Sequence, residues 1–164
     1  MRLFFALLPD PETALAVDDW RSRYLRLPPP ARAISLRNLH ITLRFCGEVN
    51  EQQSKQLVAK ARNIKASQIS VSLDVSGYFG NTRIAWIGPE CTPPDILYLH
   101  QRLGAAKERG YQPHLTLYRG LEAPPPPPLM PPAFQFRCAS FELMISTRGR
   151  TGVHYDVLES FPLN

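Results

Sequence analysis

The chain has 164 residues, a net charge of +5 and three cysteines, with an isoelectric point near 9.4. That length suits one compact unit or two small lobes sharing a core. Cys46, Cys91 and Cys138 have no short-range pairing, which excludes a disulfide framework and a cysteine zinc cluster, and no apolar run reaches the length of a membrane span. A reducing compartment, the cytoplasm, is the expected location. Fifteen of the 19 basic residues are arginine. Guanidinium forks grip phosphate better than lysine does, so the balance favours an anionic ligand.

Arg2 to Leu8 is an apolar strand candidate, and the absence of a small-residue cleavage pattern after it argues against a signal peptide. Asp10 is the expected cap of the first helix and Pro11 its first residue, with Ala14, Leu15, Val17, Tyr24 and Leu25 as the apolar stripe. Pro28 to Pro30 stop it. "HITLRF" is the next strand, and "NEQQSKQLVAKARNIKA" is a helix that turns Leu57, Val58 and Ala61 inward. "ISVSLDVSGYF" and "TRIAWIG" alternate at period two and predict a hairpin around Gly80 and Asn81. "PPDILYLHQRLGAAKERG" predicts a third helix closed by Gly110, and "HLTLYR" another strand. The proline-rich segment 124–132 suits neither helix nor central strand and reads as a surface loop in polyproline conformation, with partner binding as the alternative. "FQFRCASFELMIS" and "VHYDVLESFPL" read as a closing strand pair around "TRGRTG". This order predicts an α+β fold with mostly antiparallel sheets, helices outside, and two related lobes facing a cleft within one domain, 1–164.

Two of the four histidines stand in the same frame, His-x-Thr-Leu, at His40 and His114. On a strand, residues i and i+2 share a face. His40 therefore projects with Thr42 and His114 with Thr116, while Ile41, Leu43, Leu115 and Leu117 point into the core. Imidazole lends or takes a proton near neutrality, and a threonine hydroxyl can donate to a phosphate oxygen. Two such pairs across a cleft suit in-line cleavage of a phosphodiester without a metal. The plainer reading is a duplicated structural strand, but a core strand has no need of a polar His-Thr face. His100, on the third helix, reads as a surface residue, and His154 as structural. No His-x-x-x-His, Cys-x-x-Cys or Walker pattern is present, so neither a metal nor a nucleotide cofactor is expected.

"NLHITLRFCGEV" and "YQPHLTLYR" resemble the two signature motifs of the two-histidine (2H) phosphoesterases, and more closely the RNA 2′,3′-cyclic phosphodiesterases, or 2′-5′ RNA ligase family. "RLFFALLPDPE", "FGNTRIAWIGP" and "STRGRTGVHYDVLESFPL" are similar to family segments in family order. The resemblance implies a bilobal α+β fold with a pseudo-two-fold axis. It implies His40 as proton donor, His114 as proton acceptor, Thr42, Thr116 and Arg119 as phosphate ligands and Phe45 as a base contact. In an unbroken strand Arg119 faces away from His114, so its implied role requires the strand to end or bulge at Tyr118. Phe161 stands where the family commonly has Trp, the chain after Gly120 is proline-rich, and "KERGYQ" before His114 is short. These departures touch loops that shape substrate choice. Arg148 and Arg150 either steer RNA at the cleft edge or solvate a turn.

The expected reaction is metal-independent hydrolysis of RNA 2′,3′-cyclic phosphate ends to 2′-phosphate, reversible toward 2′-5′ joining. The alternatives are a phosphodiesterase acting on 2′-5′-linked oligonucleotides or other small cyclic phosphates, and an RNA-binding module without turnover. The expected partner is RNA with a cyclic phosphate end; neither a membrane nor a protein partner is inferred.

Overall fold

A computed structural model describes residues 1–105 and 110–164. In chain order the strands are β1 (Arg2–Leu7), β2 (Arg32–Ala33), β3 (Ile41–Glu48), β4 (Ile69–Leu73), β5 (Val75–Phe79), β6 (Ile84–Gly88), β7 (Leu115–Arg119), β8 (Phe134–Cys138), β9 (Ser140–Gly149) and β10 (Gly152–Pro162). The helices are α1 (Pro11–Tyr24), α2 (Glu51–Arg62) and α3 (Pro94–His100).

The helix starts follow from capping chemistry. Asp10 accepts from the Thr13 amide at the start of α1, and Asn50 and Gln53 form a reciprocal capping box at the start of α2. The buried face of α1 differs from the expected stripe. Val17, Trp20 and Arg21 are buried, while Leu15 is exposed. Arg21 can occupy that face because its guanidinium bonds to two backbone carbonyls and to Asp18. The third helix is shorter than expected. It gives way to a wide turn, Gln101–Ala105, in which Gly104 has a φ of 102°; the residues leading to Gly110 lie outside those described.

One sheet runs β10-β9-β1-β3-β7-β6-β5, with β2 paired to β7, and β4 and β8 form a separate two-stranded sheet. Every strand pair is antiparallel. The expected hairpin around Gly80 is β5–β6. However, "ISVSLDVSGYF" splits at Asp74, sending β4 to pair with β8, and "FQFRCASFELMIS" splits likewise at Ala139. Both splits let one apolar run serve two sheets. After Arg2, β1 is apolar because both of its faces are covered. Leu3, Phe5 and Leu7 join the main core, while Phe4 and Ala6 pack with Met144 and Tyr155 on the opposite side. The proline-rich loop lies over β5 and β6, where Pro124 to Pro128 line an open pocket of about 230 Å³ with Leu25, Tyr78 and Trp86. It is anchored to α1 by bonds from Trp20 Nε1 to Met130 O (3.0 Å) and from the Leu129 amide to Tyr24 O.

The two lobes meet where β3 and β7 touch, at the single pair Ile41–Leu115. Each of these residues directly follows a histidine of the repeated frame. From that point the registers match. Leu7, Ala6, Phe5 and Phe4 of β1 stand opposite Ile41, Thr42, Arg44 and Phe45. Ile87, Trp86, Ala85 and Ile84 of β6 stand opposite Leu115, Thr116, Tyr118 and Arg119. The expected pseudo-two-fold arrangement is thus present residue by residue.

Candidate active site

The two frames hold their histidines in the same way. The Nδ1–H of His40 donates to Asn38 O and that of His114 to Gln112 O, each at 2.7 Å. A carbonyl can only accept, so each neutral ring carries its proton on Nδ1 and turns a bare Nε2 outward. Aromatic rings complete each seat. Phe4 and Tyr155 stand 5.0 and 5.1 Å from His40, and Phe79 and Trp86 stand 5.0 and 6.0 Å from His114. Trp86 reaches this position because its cross-strand neighbour is Gly77, where a Cβ would lie 2.2 Å from the indole.

The outward nitrogens differ. His40 Nε2 accepts from the Thr42 hydroxyl at 2.9 Å. His114 Nε2 has no hydrogen-bond partner among the described residues. Burial pushes the His40 pKa down to about 4; the Asn38 carbonyl opposes this, and the charges of Arg119 and His114 push further down. The His114 pKa is also lowered, mainly by burial and then by Arg119, against the Gln112 carbonyl.

That Arg119 acts on both imidazoles places its charge at the cleft, and the register explains how. Tyr118 pairs with Ala85 and Thr116 with Trp86, so Leu117 is an extra residue. This bulge shifts the strand by one position and returns Arg119 to the face of His114 and Thr116. Leu117 and Tyr118 are accordingly buried in succession. The same device occurs in the other frame. Phe5 pairs with Arg44 and Ala6 with Thr42, so Leu43 is extra, and Phe45 returns to the face of His40 and Thr42. Phe45 is 72% exposed, with its ring 6.2 Å from Phe4. An exposed aromatic and an exposed cation are thus symmetry mates at opposite ends of the site.

Each bulge is clamped from behind by a buried basic side chain. Arg21 of α1 donates to Leu117 O (3.0 Å) and Ile34 O (2.8 Å) and pairs with Asp18 (2.6 Å). His100 of α3 donates through Nδ1 to Leu43 O at 2.7 Å. This corrects the expectation of a surface residue at position 100. His100 is 2% exposed and stacked on Tyr111 at 3.7 Å, and the Tyr111 hydroxyl donates to Thr42 O. The short α3 points its last turn at β3, and the ring is needed there to satisfy a carbonyl freed by the bulge.

The registers therefore place His40, Thr42 and Phe45, and likewise His114, Thr116 and Arg119, on the cleft face of the sheet. His154 lies on the β9–β10 hairpin, where it bonds to the Thr151 hydroxyl at 2.9 Å. Arg148 is exposed and pairs with Val153, and its alternation with Ser146 and Met144 puts it on the cleft side of β9; Arg150 is at the hairpin turn. Among the described residues, no three His, Cys, Asp or Glu side chains gather as metal ligands. Sequence reasoning passed over Arg21, Tyr155, Phe79 and Trp86. Only Arg21 left a signal, as a charge one position after a buried Trp on the apolar face of a helix.

Comparison with known proteins agrees with this geometry. The family model described as the 2′-5′ RNA ligase superfamily matches residues 9–150. The chain is 30% identical over 173 aligned residues to the RNA 2′,3′-cyclic phosphodiesterase of Escherichia coli K12, covering 99% of this chain and 96% of that protein. It is 31% identical to the protein of the same name from Methanocaldococcus jannaschii, covering 73% and 71% of the two. The crystal structure of E. coli LigT complexed with 3′-AMP superposes with a TM-score of 0.89 at 29% identity, covering 99% and 97% of the chains. A second solved structure, from Thermus thermophilus, superposes at 0.79 with 28% identity, covering 99% and 98%. With near-complete coverage and the paired His-x-Thr frames in equivalent registers, the chain belongs to the 2′-5′ RNA ligase superfamily.

Proposed function

We propose that this chain is an RNA 2′,3′-cyclic phosphodiesterase that opens the cyclic phosphate to a 2′-phosphate. The observation that supports this reading is the pair of frames in matching register, each holding its imidazole by Nδ1 to a backbone carbonyl and leaving Nε2 turned outward. The activity by which four relatives are named supports it.

In this mechanism His114 Nε2, which has no partner among the described residues, takes a proton from water. The water oxygen bonds to phosphorus as the P–O3′ bond breaks. His40 gives its Nε2 proton to the departing 3′ oxygen. Thr42, Thr116 and Arg119 donate to the non-bridging oxygens as charge grows there. Phe45 packs against the base. His40 must carry a proton although burial and Arg119 disfavour it. The phosphodiester anion between the rings offsets both effects. If the 5′ hydroxyl of a second RNA replaces water, the same transfers join the ends through a 2′-5′ bond. The unpaired cysteines support a reducing, cytoplasmic setting.

The test is turnover of a nucleoside 2′,3′-cyclic phosphate in the presence of a chelator. His40→Ala and His114→Ala should each lose about 10²–10⁴ in kcat. Binding without turnover by the unaltered chain would establish an RNA-binding module instead, and loss of activity in chelator would point to a metal.

A further inference from the structure

Opposite Arg119 in the sheet stands Arg32, the first residue of the two-residue strand β2. Directly opposed residues on an antiparallel pair project from the same face, so Arg32 shares the cleft face with Arg119. Both are exposed, and among the described residues neither forms an ion pair. Like charges directly opposite one another are destabilising in a ladder, and nothing in the fold requires this pair. The local backbone nevertheless accommodates it. Gly120 turns the chain at a φ of +82°, and a Cβ there would meet the Arg32 guanidinium at 3.2 Å. The carbonyl that follows β2, Ile34 O, is held by buried Arg21. The Ile34 amide in turn donates to Leu117 O at 2.8 Å. An exposed cation on a strand this well anchored is a preformed half of an anion site.

The chemistry of a terminal nucleotide indicates which anion. The 2′,3′ edge of ribose lies between C1′, which carries the base, and C4′, which leads to the 5′ oxygen. With that edge at the two histidines and the base toward Phe45, the 5′ side extends toward Arg119 and β2. We propose that Arg32 binds the 5′ phosphodiester of the terminal nucleotide, so that the preferred substrate is an RNA chain rather than a cyclic mononucleotide. This rests on the phosphodiesterase reading above. Arg119 serves the reacting phosphate and Arg32 the next one along. In agreement, the Arg119 charge acts on both imidazoles while Arg32 is not among the charges acting on either.

The experiment compares adenosine 2′,3′-cyclic phosphate with its 5′-phosphorylated form and with a cyclic-ended dinucleotide, in unaltered protein and in Arg32→Gln and Arg32→Lys. The unaltered protein should show a KM roughly five- to tenfold lower for both substrates bearing the 5′ phosphate. Arg32→Gln should erase that preference while turnover of the mononucleotide stays within about twofold. Arg32→Lys, which keeps the charge but loses the fork, should retain part of it. The slope of log kcat/KM against log salt on the dinucleotide should fall by about 0.7 in Arg32→Gln. Three results would overturn the proposal: no preference in the unaltered protein, a preference that survives Arg32→Gln, or an equal loss on all three substrates. If no substrate turns over in the unaltered protein, the phosphodiesterase reading itself fails, a result distinct from these.

Discussion

His40 and His114 each donate to the carbonyl two residues before them but differ in environment. Both are held neutral near pH 7 by burial and by Arg119. Each therefore binds a proton more weakly in the native state than in the unfolded chain, whose ordinary histidine value is about 6.5. As pH falls below that value, the unfolded chain takes up protons that the native protein refuses, and stability declines. For His40 the loss runs from about pH 6.5 down to its native value of about 4 and amounts to about 3 kcal/mol at most. Above pH 6.5 the effect is absent. Urea titrations between pH 7 and 4 should show this decline, and His40→Gln should flatten it. The same shifts govern rate. In the free protein both titrations lie below 6.5, so kcat/KM should be a bell centred on the acid side of 6.5. The kcat bell should lie at higher pH, because a bound phosphate anion restores proton affinity to both rings. Coincident bells for the two parameters would contradict an anion seated between the imidazoles.

At the level of elements, the bulges at Leu43 and Leu117 decide what the strands present. Without the second, Arg119 would point away from the cleft. Arg21→Met removes the side chain that holds Leu117 O and Ile34 O. It should cost about 1–3 kcal/mol in thermal stability. It should also lower kcat/KM on a cyclic mononucleotide, and that loss should vanish in an Arg119→Ala background, because on a substrate without a 5′ phosphate Arg21 acts by aiming Arg119. Additive losses in the double variant would show a general structural effect. The pairing of β5 with β6 makes a separate point. Gly77 leaves room for the Trp86 indole beside His114. Gly77→Ala should displace that ring, destabilise the protein by about 1–3 kcal/mol, and raise the His114 pKa toward its ordinary value, as read by NMR titration of the ring.

The molecule as a whole carries a net charge of +5, and Arg32 and Arg119 stand without acidic partners among the described residues. A native state that concentrates positive charge at a cleft gains stability from any anion that fits it. Inorganic phosphate at about one hundred times its Kd should add about 2.7 kcal/mol, raising Tm relative to chloride at equal ionic strength. Arg119→Ala should blunt this rise. An equal response to both salts would argue against a specific anion seat.

The repeated His-x-Thr-Leu frame was legible in the sequence because a two-residue period is a local property of the chain. It placed four of the six candidate side chains on their faces and the intervening Ile41, Leu43, Leu115 and Leu117 in the core. Capping at Asp10 and the turn at Gly80 were legible for the same reason. The positions of Arg119 and Phe45 on the cleft face were not, because a bulge is defined only by the strand opposite it. Nor was the burial of His100 and Arg21, since their partners are backbone carbonyls of other elements. Local chemistry thus determined which residues could transfer protons and hold phosphate. Tertiary pairing decided which of them meet, because register, and with it the facing of every side chain beyond a bulge, exists only between strands.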